Sequence, residues 1–182
     1  MINTMNGNIE DKSKIYLIVK RITDIVCSLA GLIVLSPILL ITAIAIKMDS
    51  KGSIFFKQDR VGKDERIFSM YKFRSMVVNA EELKKSLEKE NEMSGPMFKI
   101  KKDPRITRVG RFIRKTSIDE LPQLINVLKG DMSLVGPRPS LPKEVEAFEP
   151  WMKERLTVLP GLTCIWQVSG RNNIPFKEWM EL

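Results

Sequence analysis

Asp119 and Glu120 stand side by side in "TSIDELPQL", residues 116–124, an otherwise apolar and helix-prone stretch. Adjacent carboxylates can attack an electrophile, move protons or hold a hard cation. They also have a local use. Ser117 followed three residues later by Glu120 has the S-x-x-E spacing of a capping box, in which both side chains satisfy unpaired backbone N–H groups. Asp119 would then lie in the first helical turn, where negative charge suits the helix dipole. These residues alone leave both readings open. The chain contains no histidine. That absence removes Ser-His and Cys-His nucleophile pairs and the usual zinc sites. Chemistry here must run on carboxylates, Lys, Arg, Tyr, Ser or a hard metal such as magnesium bound through oxygen.

A second stretch is built like a grip. In "INVLKGDMSLVGPRPSLP", residues 125–142, Lys129-Gly130-Asp131 reads as a helix end with a glycine stop. Gly136-Pro137-Arg138-Pro139 follows as a stiff turn, with Pro137 and Pro139 fixing the backbone around one arginine. A planar guanidinium can hold a phosphate in two places, and a merely structural turn needs neither the arginine nor stiffening on both sides. No P-loop pattern occurs.

These groups sit in a basic chain of 182 residues, with 30 Lys and Arg against 22 Asp and Glu. That length suits one domain with an accessory segment, and the charge favours an anionic partner: a phosphate-bearing substrate, an acidic lipid surface or nucleic acid. Cys27 and Cys164 match neither a zinc spacing nor a disulfide framework, so a reducing compartment is expected.

The elements that must position the groups begin with an apolar run. Residues 25–46, "IVCSLAGLIVLSPILLITAIAI", carry no charge and reach the roughly 20 residues that span a bilayer core. A core helix is the plain alternative. Ser36-Pro37 interrupts the run, and proline kinks or breaks a helix. Lys20 and Arg21 precede it; Lys47 and Lys51 follow it, and basic residues prefer the cytoplasmic side. A helix that enters, bends at Ser36-Pro37 and returns to the same face satisfies both ends. Residues 52–76 predict a β-hairpin turning through "RVGKDE", and residues 79–93 a charged, solvated helical segment. Arg105, Arg108, Arg111 and Arg114 recur every third residue with Val109, Phe112 and Ile113 between them, as in a helix lying on an anionic membrane surface. "FEPWMKERLTVLP", residues 148–160, reads as an amphipathic helix, either interfacial or packed on the core. "PGLTCIWQVSGRNN", residues 160–173, reads as a loop ending in polar residues that could line a site.

The run "RKTSIDELPQLINVLKGDMSLVGPRPSL", with "KR..D" at 20–24, "SP" at 36–37, "YKFRSM" at 71–76 and "PGLT...QVSGRN", resembles the bacterial sugar transferase family, the monotopic phosphoglycosyl transferases that start glycan assembly on a polyprenol carrier. The resemblance covers roughly residues 20–173. It implies transfer of sugar-1-phosphate from a UDP-sugar to polyprenyl phosphate, with UMP leaving. Asp119 is then the nucleophile that carries a phospho-sugar intermediate, and Glu120 the ligand of a required Mg2+. Arg138 with Pro137 and Pro139 binds nucleotide or phosphate, Lys72 and Arg114 are cations that contact phosphate, and Ser36-Pro37 breaks the re-entrant helix. Cations beside Asp119 are expected to lower its pKa and leave it ready to attack. "TCIWQ" departs from the family pattern, with Cys164 where relatives often have glycine. Relatives usually continue past "FKEWMEL", so an incomplete C-terminus is expected. The stretch 89–107 is commoner in members that move a hexose phosphate, which points to glucose or galactose.

The expected architecture is mixed α/β and mainly helical: a polar tail over 1–19, a re-entrant membrane helix over 20–47, and a catalytic domain over 48–182. That domain carries the small hairpin and interfacial amphipathic helices, and would lie on the cytoplasmic face of the bacterial inner membrane. The partners are the UDP-sugar, the polyprenyl phosphate and the membrane, with a homo-oligomer left open. Nucleic acid is not expected, because no recognition motif accompanies the charge. The rival is a non-catalytic basic membrane-surface protein in which Asp119-Glu120 only caps a helix.

Overall fold

The structure, a computed structural model, describes residues 14–87, 100 and 102–168. The tail up to residue 13, the later part of the 79–93 segment and the polar end of residues 160–173 lie outside them.

Helix α1 runs over Lys14–Val34 and α2 over Ser36–Asp49, bent by 61° at Leu35. Residues 14–19, read from the sequence as part of the polar tail, are helical too. The bend has a local chemical cause. Pro37 has no N–H to give the carbonyl of Ile33, four residues back. The Ser36 hydroxyl donates to that carbonyl instead, at 2.7 Å. On either side of the break, Leu35 N donates to Gly31 O and Leu39 N to Leu35 O, both at 2.9 Å.

The helix pair is amphipathic the wrong way round for a water-soluble protein. Ile18, Val26, Leu29, Ile33, Leu40 and Ile41 are exposed, whereas Asp24 and Ser28 are buried against the rest of the chain. Arg21 donates to the carbonyls of Val127 (2.6 Å) and Leu128 (2.8 Å), Asp24 accepts from Leu134 N (3.0 Å), and Lys20 donates to Ser133 Oγ. The first half of α1 is thus fastened to the body by polar groups. The far end of α2 returns to the same body through Ile46, which packs with Phe73 and Ile113 in one core cluster.

The hairpin forms where expected. Strand β1 (Phe55–Val61) pairs antiparallel with β2 (Ile67–Phe73), from Phe55 opposite Phe73 to Val61 opposite Ile67. Its turn is tight, with Asp64 and Glu65 at φ of 55° and 58°. Helix α3 (Ala80–Ser86) follows, and then α4 (Arg108–Lys115), capped by Thr107 Oγ1 and by Asp49, which accepts from Val109 N at 3.0 Å. The arginine stripe is shorter than its spacing suggested. Arg105 lies before α4, buried, and pairs with Asp103 at 2.6 Å. A period of three cannot distinguish a helical face from a loop arginine with a carboxylate two residues away. Arg108, Arg111 and Arg114 are exposed on α4 beside exposed Phe112, while Ile113 enters the core.

A short 3-10 segment, Ile118–Gln123, leads into α5 (Leu124–Lys129), which stops at Gly130 with φ 91°, as its sequence predicts. Strand β3 (Ser133–Val135) comes next, then α6 (Pro142–Val145) and a 3-10 stretch, Pro150–Thr157. That stretch buries Met152 and Leu156, so it packs on the body. Residues 161–163, expected as loop, form β4 (Gly161–Thr163), parallel to β3, before α7 (Ile165–Val168). A second core cluster, Met70, Val127 and Met132, joins the hairpin to α5 and β3. The expected mixed architecture with a two-stranded antiparallel hairpin is present.

Candidate active site

The carboxylate pair lies where three elements meet: the 3-10 segment between α4 and α5, strand β2, and the turn after β3. The 3-10 segment begins after Ser117, whose backbone is left-handed at φ 59° and ψ 15°. Capping serines adopt extended backbone. Ser117 accordingly makes no side-chain cap bond, and only its carbonyl accepts from Glu120 N, at 3.1 Å. The capping box expected from the spacing is not formed. A serine in this conformation costs roughly 1–2 kcal/mol, which the local packing must offset.

The Glu120 side chain faces cations instead. Its Oε1 accepts from Lys72 Nζ at 3.0 Å and lies 3.6 Å from Arg138 Nη1, while Gln167 Nε2 approaches Oε2 at 3.4 Å. Lys72 comes from β2, whose alternation turns it to this side. Arg138 comes from the Gly136–Pro139 turn, held tightly on one side by backbone: Gly136 N donates to Thr163 O (3.1 Å) and Gly161 N to Pro137 O (2.8 Å). Glycine is required on both strands of this contact. A Cβ on Gly161 would lie 2.1 Å from Gly136 N, and one on Gly136 would lie 2.4 Å from Leu159 O.

Asp119 is buried, at 9% exposure. Burial raises its pKa; Lys72 and Arg114 oppose the rise, and Glu120 adds to it. The expectation that neighbouring cations would lower this pKa is corrected: removal from water outweighs them. The cations are displaced too. Burial, then Arg138, lowers the pKa of Lys72 against the pull of Glu120. Burial, then Arg138, lowers that of Arg60 to about 10. Asp119, Lys72 and Arg60 are each short of compensation.

Four of the residues picked from sequence converge here: Asp119, Glu120, Lys72 and Arg138, with Pro137 and Pro139 shaping the turn. Arg114 does not join them in contact. It is exposed in the last turn of α4 and reaches Asp119 only through its field. Ser36 and Pro37 lie in the bend between α1 and α2. Sequence reasoning missed Arg60 and Gln123, which line the small cleft beside Lys72, Arg138 and Gln167. Arg60 was hidden among the charges of the hairpin turn, and Gln123 is separated from the dyad by an unremarkable Leu-Pro. Gln167 was missed as well: it lines the same cleft, and its Oε1 accepts from Cys164 N at 2.9 Å.

No cluster of three or more metal-binding side chains occurs among the described residues. Two adjacent carboxylates with hard oxygens nevertheless fit magnesium, which is commonly bound through one or two carboxylates together with substrate phosphates.

The sequence pattern of the family described as "Bacterial sugar transferase" matches residues 15–182, and the chain belongs to that family. It is 53% identical over 168 residues to the galactosyl transferase CpsE of Streptococcus agalactiae, covering 92% of this chain and 37% of that protein. It is 46% identical over 180 residues to the undecaprenyl-phosphate galactose phosphotransferase of Salmonella typhimurium, covering 97% and 37%. With the exopolysaccharide production protein ExoY of Sinorhizobium fredii it shares 39% identity over 161 residues, covering 86% and 71%. The chain therefore spans little more than a third of the length of the first two relatives.

Proposed function

We propose that the chain is a phosphoglycosyl transferase that moves sugar-1-phosphate from a UDP-sugar to polyprenyl phosphate. The observation that carries this reading is the buried Asp119 beside a glutamate on which Lys72 and Arg138 converge. The names of the relatives support the reaction class, and galactose in two of them favours a galactose donor over glucose.

Asp119 attacks the phosphorus that bears the sugar. The bond from that phosphorus to the UMP oxygen breaks, UMP leaves with the electron pair, and a phospho-sugar ester remains on Asp119. An oxygen of the polyprenyl phosphate then attacks the same phosphorus, returning the Asp119 carboxylate and forming a polyprenyl diphosphate sugar. Lys72 and Arg138 hold the pyrophosphate and screen it from the anionic nucleophile. Glu120 would hold magnesium beside Asp119, and the ion would supply further positive charge to the substrate phosphates. The non-catalytic rival loses its main support, because Ser117 does not cap.

The membrane reading follows from the inverted helix pair. Among the described residues no single helix is long and apolar enough to cross a bilayer, and the bent pair passes the same test together. Both of its ends are fastened to one body, which favours a re-entrant hairpin in one leaflet with the catalytic body on the cytoplasmic face. The step fits the start of exopolysaccharide, capsule or glycoconjugate assembly in a bacterial inner membrane.

The test is UMP release from UDP-galactose and UDP-glucose by detergent-solubilised protein with polyprenyl phosphate, with and without magnesium, beside Asp119→Asn. Release that depends on magnesium and disappears in the variant supports the reading. Release that survives Asp119→Asn would sink it.

A further inference from the structure

Arg138 can act only if its turn is held in place, and the backbone bonds to β4 hold one side of that turn. The other side leans on the hairpin. Val61 N donates to Ser140 O at 2.9 Å, and the neighbouring Arg60 donates through Nη1 to Pro139 O at 3.1 Å. The second arm of the same guanidinium donates through Nη2 to Gln58 Oε1 at 2.7 Å. Glu144, at the start of α6, stands 4.0 Å from Nη1, and its Oε2 also accepts from Leu141 N at 2.7 Å. One fork thus ties the strand, the carbonyl after Arg138 and the helix that follows.

This is a costly way to brace a turn. Arg60 is largely out of water, its Nε is buried without a partner, and Arg138 repels it, with its pKa brought to about 10. A neutral side chain could fill the space without that repulsion. A guanidinium adds two things: a planar fork that reaches two acceptors at once, and positive charge on the wall of the cleft that Arg138 and Lys72 also line.

We propose that Arg60 is a positioning residue for donor binding: it fixes the Pro137–Pro139 turn so that Arg138 meets the pyrophosphate of the nucleotide sugar. The inference rests on the transferase reading for its substrate, but the bracing itself can be measured without activity. Both arms of Arg60 are engaged by protein, so its effect on the donor passes through Arg138.

The experiment combines a mutant cycle with amide hydrogen exchange. Arg60→Met, Arg60→Lys, Arg138→Met and the Arg60→Met/Arg138→Met double variant are assayed for UMP release over a range of UDP-galactose. Exchange is followed at the amides of Val61, Gly136, Leu141 and Gly161. The expected result is that Arg60→Met raises the donor KM about tenfold with kcat changed less than about threefold, and speeds exchange at those amides. In the double variant the loss stays within about twofold of Arg138→Met alone. Arg60→Lys, which keeps the charge without the fork, remains impaired. Losses that multiply, unchanged exchange, or full recovery in Arg60→Lys would each overturn the proposal. Should Arg60→Met fail to fold, Glu144→Gln takes its place: a rise in KM of about threefold with faster exchange at Leu141 is expected, and an unchanged KM with unchanged exchange would overturn the brace. A wild type that releases no UMP would count against the transferase reading alone. Exchange would then decide for the brace if it quickens and against it if it does not.

Discussion

Two clusters of buried charge in this chain answer to opposite rules. Asp103 and Arg105 close on each other. Arg105 Nε donates to Asp103 Oδ1 at 2.9 Å and Nη2 to Oδ2 at 2.6 Å, and Nη1 reaches the carbonyl of Ala80 at 3.1 Å. Each partner stabilises the charged form of the other, so the pKa of Asp103 falls and that of Arg105 rises. Around Glu120 the contacts are longer, and every resolved shift runs the other way: Asp119 up, Lys72 down, Arg60 down. The first cluster is complete. The second has cations and carboxylates held out of water without full compensation, which is the condition in which an added pyrophosphate and a metal gain most. The difference sets a closed ion pair apart from a cluster suited to be a site.

The comparison predicts opposite responses to one substitution. Asp119→Asn should lower UMP release by about 10³-fold or more, since the nucleophile is gone. Its melting temperature at neutral pH should be no lower than that of the wild type, because a destabilising buried charge has been removed. A clear drop in melting temperature would place Asp119 in the structural class. Asp103→Asn should do the reverse. It leaves Arg105 buried without its counter-charge, a loss of about 3 kcal/mol or more, read as a lower urea midpoint, with activity per folded molecule nearly unchanged. A stability equal to wild type would dissolve the contrast.

Smaller effects sharpen it. Arg138→Lys keeps the charge but loses the fork, and should cost about tenfold in kcat/KM, mostly in the donor KM. Equal kinetics would mean that Arg138 acts only as a point charge. The pH dependence carries the least effect but a definite sign. Asp119 must be ionised to attack, and its pKa in the folded protein is raised. Activity should therefore fall with decreasing pH at a higher pH than an ordinary aspartate would give. The acid limb of kcat/KM measures this. A limb at or below the usual aspartate range would show that the cations prevail over burial after all.

Legibility followed the range of the forces involved. The hairpin could be read because two aromatic-rich runs flank a glycine-containing turn, and the helix stop at Gly130 because only a left-handed backbone fits there. The bend at Leu35 could be read from Ser36-Pro37, although the hydroxyl that replaces the missing amide could not. The dyad and Arg138 drew attention through residue type alone. The capping box failed because its spacing was right while the backbone at Ser117 was not. Arg105 failed because its partner, two residues back, outweighed the periodicity. Arg60 was illegible because its acceptor, Pro139 O, lies 79 residues away.

The sequence by itself determined the chemical vocabulary: no histidine, paired carboxylates, an arginine between prolines, and an uncharged run broken by proline. These are local facts of covalent structure, and no packing can alter them. Only the tertiary structure decided which cations meet Glu120, that Arg114 stays outside, and that burial raises the pKa of Asp119. Those outcomes depend on distance and on the exclusion of water, which exist only once β2, the 3-10 segment and the turn after β3 are brought together.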